Sequence, residues 1–311
     1  MSRKVVVFGA TGEIGGRIAK GCVDAGHSVI GVSRGTNTRE MVDLNGVEMI
    51  QGNKRDESFM RDVAAKLDVD SVIDSVPSPE SVIMMHKYMK QVENVFICSS
   101  TGTYVPLQAL PADETHSWRE DTGLNFHKQS VRDAHALDLY EQERFPITIF
   151  RPTNIIGPGR IPLELWGGRD IQFFKMLKAG EPVSIPQCED VLLQPGYNTD
   201  LASAFVKALD FPNTVRGEIF NISCREPITL GRYLKTAMAH LNSNSEIHHV
   251  PAEELPHLYD GVTMAYGVEF LLQDMSYDIG KAEDILGYDP THTAEQGLVE
   301  ALDWCEATGI L

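Results

Sequence analysis

Basic residues are in short supply. The 311 residues carry 27 Lys and Arg against 44 Asp and Glu, a formal net charge of −17. A nucleic-acid surface needs clustered cations to displace counterions from phosphates, so nucleic acid is disfavoured as the main partner. Cysteine is sparse too. The five, at 22, 98, 188, 224 and 305, are odd in number and form no C-x-x-C pair and no metal-ligand spacing. That pattern fits reduced, mostly buried thiols in a cytoplasmic protein and offers no metal site. No apolar run approaches the roughly 20 residues of a membrane span. Gly9 cuts the first apolar run too early for a signal peptide. With 42 % apolar residues over this length, the chain can fill one large α/β domain and a smaller lobe.

The richest local signal stands at the start. Val5-Val6-Val7-Phe8 runs into a loop with glycines at 9, 12 and 15, and Ile14, Ile18 and Cys22 then recur at helical spacing. This predicts a buried strand, a glycine turn and a helix start. The first glycine permits the turn, the second lets backbone approach a pyrophosphate, and the third lets helix pack on strand. The helix N-terminus then faces the phosphates. Thr11, Glu13 and Ile14 complete the candidate cofactor loop. The spacing is G-x-x-G-x-x-G, and its place after a strand at the head of the chain carries the reading.

Strands and helices then alternate. Strands are expected at Ser28–Val32, Val47–Gly52, Ser71–Val76, Asn94–Ser100 and Pro146–Phe150, with helices at Gly12–Ala25, Glu57–Leu67, Glu80–Gln91 and Asn125–Glu143. Alternation implies a parallel sheet with right-handed crossovers and ligands beyond the carboxyl ends of its strands. At the end of strand two an acidic residue would hold a ribose 2′-hydroxyl, but Ser33-Arg34 stands there. A hydroxyl and a guanidinium suit a 2′-phosphate, which points to NADP, with NAD as the alternative. Asn53, after strand three, either bonds the adenine edge or caps its own loop. Ser75, at the end of strand four, is placed with the cofactor.

Several segments resemble the extended short-chain dehydrogenase/reductase superfamily, in its NAD-dependent epimerase/dehydratase group. The glycine loop is one. Asn94 to Tyr104 is similar to the catalytic-serine strand, which implies Ser100 as the active hydroxyl. Phe150-Arg151-Pro152-Thr153-Asn154-Ile155-Ile156-Gly157-Pro158-Gly159 is similar to the end of the sixth strand. There the resemblance puts Pro152 near a nicotinamide and Asn154 near a substrate. Asp200-Leu201-Ala202, Phe220 to Ser223 and Lys281 to Pro290 match later landmarks. The implied fold is a Rossmann-type, doubly wound parallel sheet with a smaller C-terminal substrate lobe. The implied division is 1–156 plus 195–224 for the dinucleotide domain, and 157–194 plus 225–311 for the lobe. The Gly- and Pro-rich stretch from Gly157 to Gly168 reads as a substrate-side loop, with Arg160, Trp166 and Arg169 as its reach toward a ligand. Helices 80–91 and 125–143 are the implied homodimer faces.

Two departures stand out. The family's base is the Tyr of a Tyr-x-x-x-Lys pair. Here Lys128 matches the lysine, but Leu124 stands where the tyrosine belongs. Tyr104, His127 and Glu114 are the candidates to replace it. Tyr277-x-x-x-Lys281 has the right spacing but lies too far downstream. The second departure is the run Val191 to Asp200, which lacks the Arg that clamps a diphosphate in sugar-nucleotide members. Both departures are similar to a branch that includes chloroplast stem-loop-binding proteins, through Cys98-Ser99-Ser100-x-Gly102-x-Tyr104, His127-Lys128 and Gln194-x-Gly196. That branch implies RNA binding or cleavage. The retained glycines and the acidic charge favour a nucleotide cofactor instead. The expectation is an NAD(P)-dependent epimerase/dehydratase-like oxidoreductase acting on a polar, sugar-derived small molecule, with Ser100, Lys128 and Tyr104 catalytic. The alternatives are a cofactor-binding regulator without turnover and an RNA-binding or RNA-cleaving protein.

Overall fold

Four consecutive buried side chains, Val5 to Phe8, make the strand β1 (Lys4–Phe8). A strand covered on both faces shows this continuous apolar run rather than alternation. The computed structural model describes residues 2–37, 41–259 and 265–311. In the first half β1 is followed by α1 (Glu13–Asp24), β2 (Ser28–Ser33), β3 (Val47–Gln51), α2 (Glu57–Asp62), β4 (Ser71–Asp74), α3 (Pro79–Tyr88), β5 (Asn94–Cys98) and α4 (His127–Glu143). Then come β6 (Ile147–Pro152), β7 (Ile155–Ile156), α5 (Ile171–Ala179), β8 (Val183–Ile185), β9 (Leu192–Leu193), β10 (Gly196–Tyr197), α6 (Asn198–Ala208) and β11 (Ile219–Ile222). The chain ends with β12 (Ile228–Thr229), α7 (Leu230–His240), β13 (Ile247–His249), α8 (Leu255–Leu258), α9 (Ala265–Leu271), α10 (Gly280–Leu286) and α11 (Ala294–Ala307).

Seven strands form one parallel sheet in the order β11-β6-β5-β4-β1-β2-β3. Val5 pairs with Val29 on one side and Ser71 on the other. The order reverses between β1 and β4, which opens a crevice at their carboxyl ends. Alternate side chains of β1 go to opposite faces. Val5 and Val7 join Ile18, Leu201 and Phe205 beneath α1 and α6. Val6 and Phe8 join Met60, Val82, Met85 and Ala136 beneath α2, α3 and α4. Ile18 is fully buried, a placement worth ~1.5–3 kcal/mol. A third core, around Phe173, Phe174 and Tyr233, gathers the later segments.

The expected alternation is present, with shifts at the ends. The helix expected over 57–67 stops at Asp62 and tightens into a 3-10 turn over Ala64–Lys66. Asp56 caps its start by accepting from the Ser58 N–H. The helix expected at 80–91 begins one residue earlier, where Ser78 and Ser81 form a reciprocal cap. Thr229 caps α7, and Gly180 ends α5 with a φ of +72°. Asp200 stands in the first turn of α6, where its charge suits the helix dipole, and its carboxylate also accepts from the backbone N–H groups of Thr291 and His292, bolting α6 to the segment before α11. The two- and three-residue strands and α8 to α10 are too short for periodicity to announce. No helix among the described residues is long and apolar enough to cross a membrane. All five cysteines are unpaired.

Candidate active site

The glycine loop folds on itself at the crevice. Gly9 has a φ of +83°, and a Cβ there would lie 2.5 Å from Ser75 Oγ. A Cβ on Gly15 would lie 2.2 Å from the Gly9 carbonyl oxygen. Both positions therefore exclude a side chain. Gly12 caps α1 without a side-chain bond, so the first-turn N–H groups stay available to an anion. A cleft of about 280 Å³ opens here, lined by Gly9, Thr11, Gly12, Ser33, Arg34 and Asn53. These residues fit a dinucleotide: phosphates over the helix start, and ribose and adenine toward β2 and β3.

Other residues of the cofactor set do different work. Ser75 is buried, and its hydroxyl donates to the Phe8 carbonyl at 2.9 Å, so it wedges the loop rather than facing the cleft. Ile14 is a core residue of α1. The Glu13 carboxylate pairs with Arg160 at 3.2 Å. Pro152 is a buried residue of β6 opposite Ile222. Asn53 Oδ1 accepts from the Arg55 N–H at 3.1 Å, so it caps its loop while lining the cleft. Sequence reasoning missed Lys54. Its ammonium pairs with Asp74 and donates to the Val76 carbonyl at 2.6 Å, and burial lowers its pKa. Two opposite charges at the ends of strands three and four were the available signal. Arg34 and Arg55 form no ion pair among the described residues, and both line the cleft.

Ser100 follows β5, two strands from β1, a spacing of about 10 Å. Its Oγ accepts from the Gly102 N–H at 3.0 Å, so its own proton remains free to donate. It opens onto a cavity of about 100 Å³ together with Thr101, Thr153 and Asn154. Thr153 is committed to Ser223 at 2.7 Å. Asn154 Oδ1 accepts from the Arg169 guanidinium at 2.8 Å, which leaves the amide N–H groups as its free polar edge. The rest of the wall is apolar, formed by Phe126, Leu163, Leu193, Phe270, Leu271 and Met275.

Several expected partners are elsewhere. Tyr104 is buried, donates to Asn221 Oδ1 at 3.1 Å and lies outside the cavity wall. Burial pushes its phenol up to about 12, so it packs rather than exchanges protons. Trp166 is a core residue, donating from Nε1 to the Ser184 carbonyl and stacking on Tyr259 at 4.1 Å. Arg160 reaches Glu13 and not the Ser100 cavity. Arg169 is half-buried and spends its donors on Ile161, Ile155 and Asn154. Lys128 is exposed in the first turn of α4 and makes no hydrogen bond or ion pair among the described residues. Glu114 accepts from the Asn221 N–H at 2.7 Å, and burial raises its pKa. His127 Nδ1 is buried without a partner, and the residue is outside the cavity wall. Tyr277 is buried beside Tyr104 while Lys281 pairs with Glu218, so the downstream pair does not form a site.

Two buried carboxylates hold the frame. Asp133, fully buried on α4, accepts from Ser99, Arg132 and Arg151. That clamp fixes the end of β5 directly before Ser100. Glu164, also buried, accepts from the backbone N–H groups of Trp166, Gly168 and Asp170. It thereby shapes the loop that brings Leu163 and Gly167 to the cavity. Burial outweighs those bonds and pushes its pKa up to about 7.

The parallel sheet, the switch-point cleft and the serine at the end of β5 define a dinucleotide-binding α/β protein. The chain belongs to the NAD dependent epimerase/dehydratase family, whose family model matches residues 5–223. It is 25 % identical to the chloroplast stem-loop binding protein of 41 kDa b of Arabidopsis thaliana over 316 residues, covering 96 % of this chain and 78 % of that protein. Its fold is similar to an epimerase of Methanothermobacter thermautotrophicus, with a TM-score of 0.79 at 15 % identity, over 99 % of this chain and 94 % of the other. It is also similar to UDP-glucuronic acid 4-epimerase of Bacillus cereus in complex with NAD, with a TM-score of 0.73 at 15 % identity, over 98 % and 99 % of the two chains.

Proposed function

We propose that the protein is an NAD(P)-dependent oxidoreductase of the epimerase/dehydratase kind, with Ser100 holding the reacting oxygen. The observation that carries this is the free proton of Ser100 Oγ, fixed by Gly102 and facing a cavity about two strands from the glycine loop. A nicotinamide cofactor, when bound, supplies hydride exchange. The chain supplies the rest. Ser100 and the Asn154 amide donate to one oxygen, which favours a carbonyl whose oxygen gains negative charge. Among the described residues no titratable side chain lines the cavity, so proton exchange runs through Ser100 and water. Lys128 takes part as a ribose anchor only by turning inward from solvent.

The proposed cofactor is NADP. Ser33, Arg34 and Arg55 stand at the strand ends where a 2′-phosphate would lie, and among the described residues no acidic side chain lines that cleft. We place the cofactor unit in 1–156 plus 195–224 and the substrate lobe in 157–194 plus 225–311. The third core, built mostly from the later segments, supports the division. A homodimer through α3 and α4 is supported by Ile83 and Val131, which are 47 % and 54 % exposed on those helices; light scattering of Ile83→Glu tests it.

The experiment for the whole reading is calorimetry with NADPH and NADH, followed by carbonyl reduction assays on wild type and Ser100→Ala. Cofactor binding with turnover that falls about 100-fold in the variant is the expected result. Tight cofactor binding with no turnover in any assay favours the second reading, a regulator without catalysis, which the lack of a titratable group in the cavity supports. No binding of either cofactor sinks both.

A further inference from the structure

The Ser100 cavity holds about 100 Å³. An apolar protein cavity of ~150 Å³ accommodates one benzene, so the ligand portion that enters here is small. The wall sets that limit with backbone. Gly167 has a φ of +82°, and a Cβ on it would lie 2.2 Å from the Gly267 carbonyl carbon. Phe126 and Phe270 close another side as a stacked pair with centroids 5.1 Å apart.

Charge complements the size argument. Among the described residues, none that lines the cavity is charged. The guanidinium that meets this wall, that of Arg169, is half-buried and bonded to two backbone carbonyls and Asn154. A diphosphate would find no free cation on this wall, and the hydroxyls of a sugar would meet leucine and methionine side chains. Buried polar groups need partners, and the wall offers two unspent donors, Ser100 Oγ–H and the Asn154 amide. Two donors converging on an apolar pocket recognise one acceptor oxygen with a hydrocarbon body.

Building on the oxidoreductase reading, we propose that this site takes a small, uncharged carbonyl compound or its alcohol. One oxygen sits between Ser100 and Asn154, and the remainder is an apolar group of about three to five carbons. This departs from the polar, sugar-derived substrate expected from the sequence, and the two are distinguished by the probes below.

The test is saturation-transfer NMR on the full-length protein with butanone, cyclopentanone and UDP-glucose as probes, without cofactor and with saturating NADPH. Both ketones are expected to show transfer and UDP-glucose none. Ser100→Ala weakens ketone binding at least about tenfold, and Leu193→Trp, which fills the pocket, abolishes it. Phe270→Ala enlarges the pocket and shifts preference to cyclooctanone, a gain that a folding defect cannot produce. Binding of UDP-glucose in competition with the ketones overturns the proposal. So does failure of the ketones to bind, or ketone binding unaffected by Leu193→Trp. The cofactor-free arm separates the two readings: loss of NADPH and NADH binding removes the oxidoreductase assignment while the ketone result still judges the pocket.

Discussion

The Arg169 guanidinium donates to Oδ1 of Asn154 at 2.8 Å, and this one bond decides which edge of the asparagine the cavity sees. An arginine can only donate, so the amide oxygen turns toward it and the N–H groups turn away. The same guanidinium holds the carbonyls of Ile155 and Ile161, tying β7 to the loop that follows. Replacing Arg169 with Leu removes all three bonds. The expected cost is ~2–4 kcal/mol in urea unfolding, from charged hydrogen bonds lost and carbonyls left bare. In the same variant KM for the carbonyl substrate rises more than kcat falls, because Asn154 loses its fixed orientation. A change in stability with unaltered KM would show that Asn154 does not contact the ligand.

Glu164 makes stability depend on pH in an unusual direction. Its carboxyl ordinarily titrates at 4.5, and burial raises it to about 7 in the folded protein. Between those values the folded state binds more protons than the unfolded one. Stability therefore falls as pH rises from about 4.5 to about 7 and is level above. At 1.36 kcal/mol per unit the drop from this group is roughly 3 kcal/mol. Glu164→Gln removes the charge and keeps one of the two acceptor oxygens, enough for Gly168 and Asp170, which share Oε1. Its urea midpoint, measured across this range, is expected to lose that slope. An identical pH profile in the variant refutes the assignment.

Asp133 is the common acceptor for Ser99, Arg132 and Arg151, and none of the four is exposed. Asp133→Ala leaves two guanidinium groups buried near each other without their carboxylate. A loss of about 3–5 kcal/mol is expected by chemical denaturation. Because Ser99 precedes Ser100, turnover is expected to fall with the loss of the clamp even at temperatures where the variant stays folded. Full turnover in folded Asp133→Ala would limit the clamp to stability.

The pair Arg34 and Arg55 carries the NADP assignment. Arg34→Glu is expected to weaken NADPH binding by more than about tenfold and to leave NADH within about threefold, since only the 2′-phosphate loses its cation. Raising salt weakens NADPH binding in wild type and has a smaller effect in the variant. Equal loss for both cofactors would mean that Arg34 does not meet the 2′-phosphate.

Much of the fold was legible in the sequence because its signals are local. Four apolar residues, three glycines and a helical repeat announce β1, its turn and α1 within twenty-odd residues. Alternating runs announce the other strands of the sheet in the same way. The loops between 101 and 126 and between 157 and 170 have no such period. There Tyr104 and Trp166 look like residues that face a ligand, because aromatic rings with polar tips suit a cleft. Tertiary packing takes both into cores, where Asn221 and Ser184 satisfy those tips at long range.

The sequence by itself determined the class of the chain: a doubly wound parallel sheet, a glycine loop at its switch point and a serine at the end of its fifth strand. Only the tertiary structure decided what that serine faces. Phe126, Leu193 and the neighbouring pair Phe270 and Met275 belong to three separate stretches, and no spacing rule relates those stretches. Packing converges them on one cavity, and the half-buried Arg169 turns Asn154 to complete it. Backbone hydrogen bonding and periodic burial are written along the chain, whereas the composition of a cavity wall depends on which distant side chains the fold brings together.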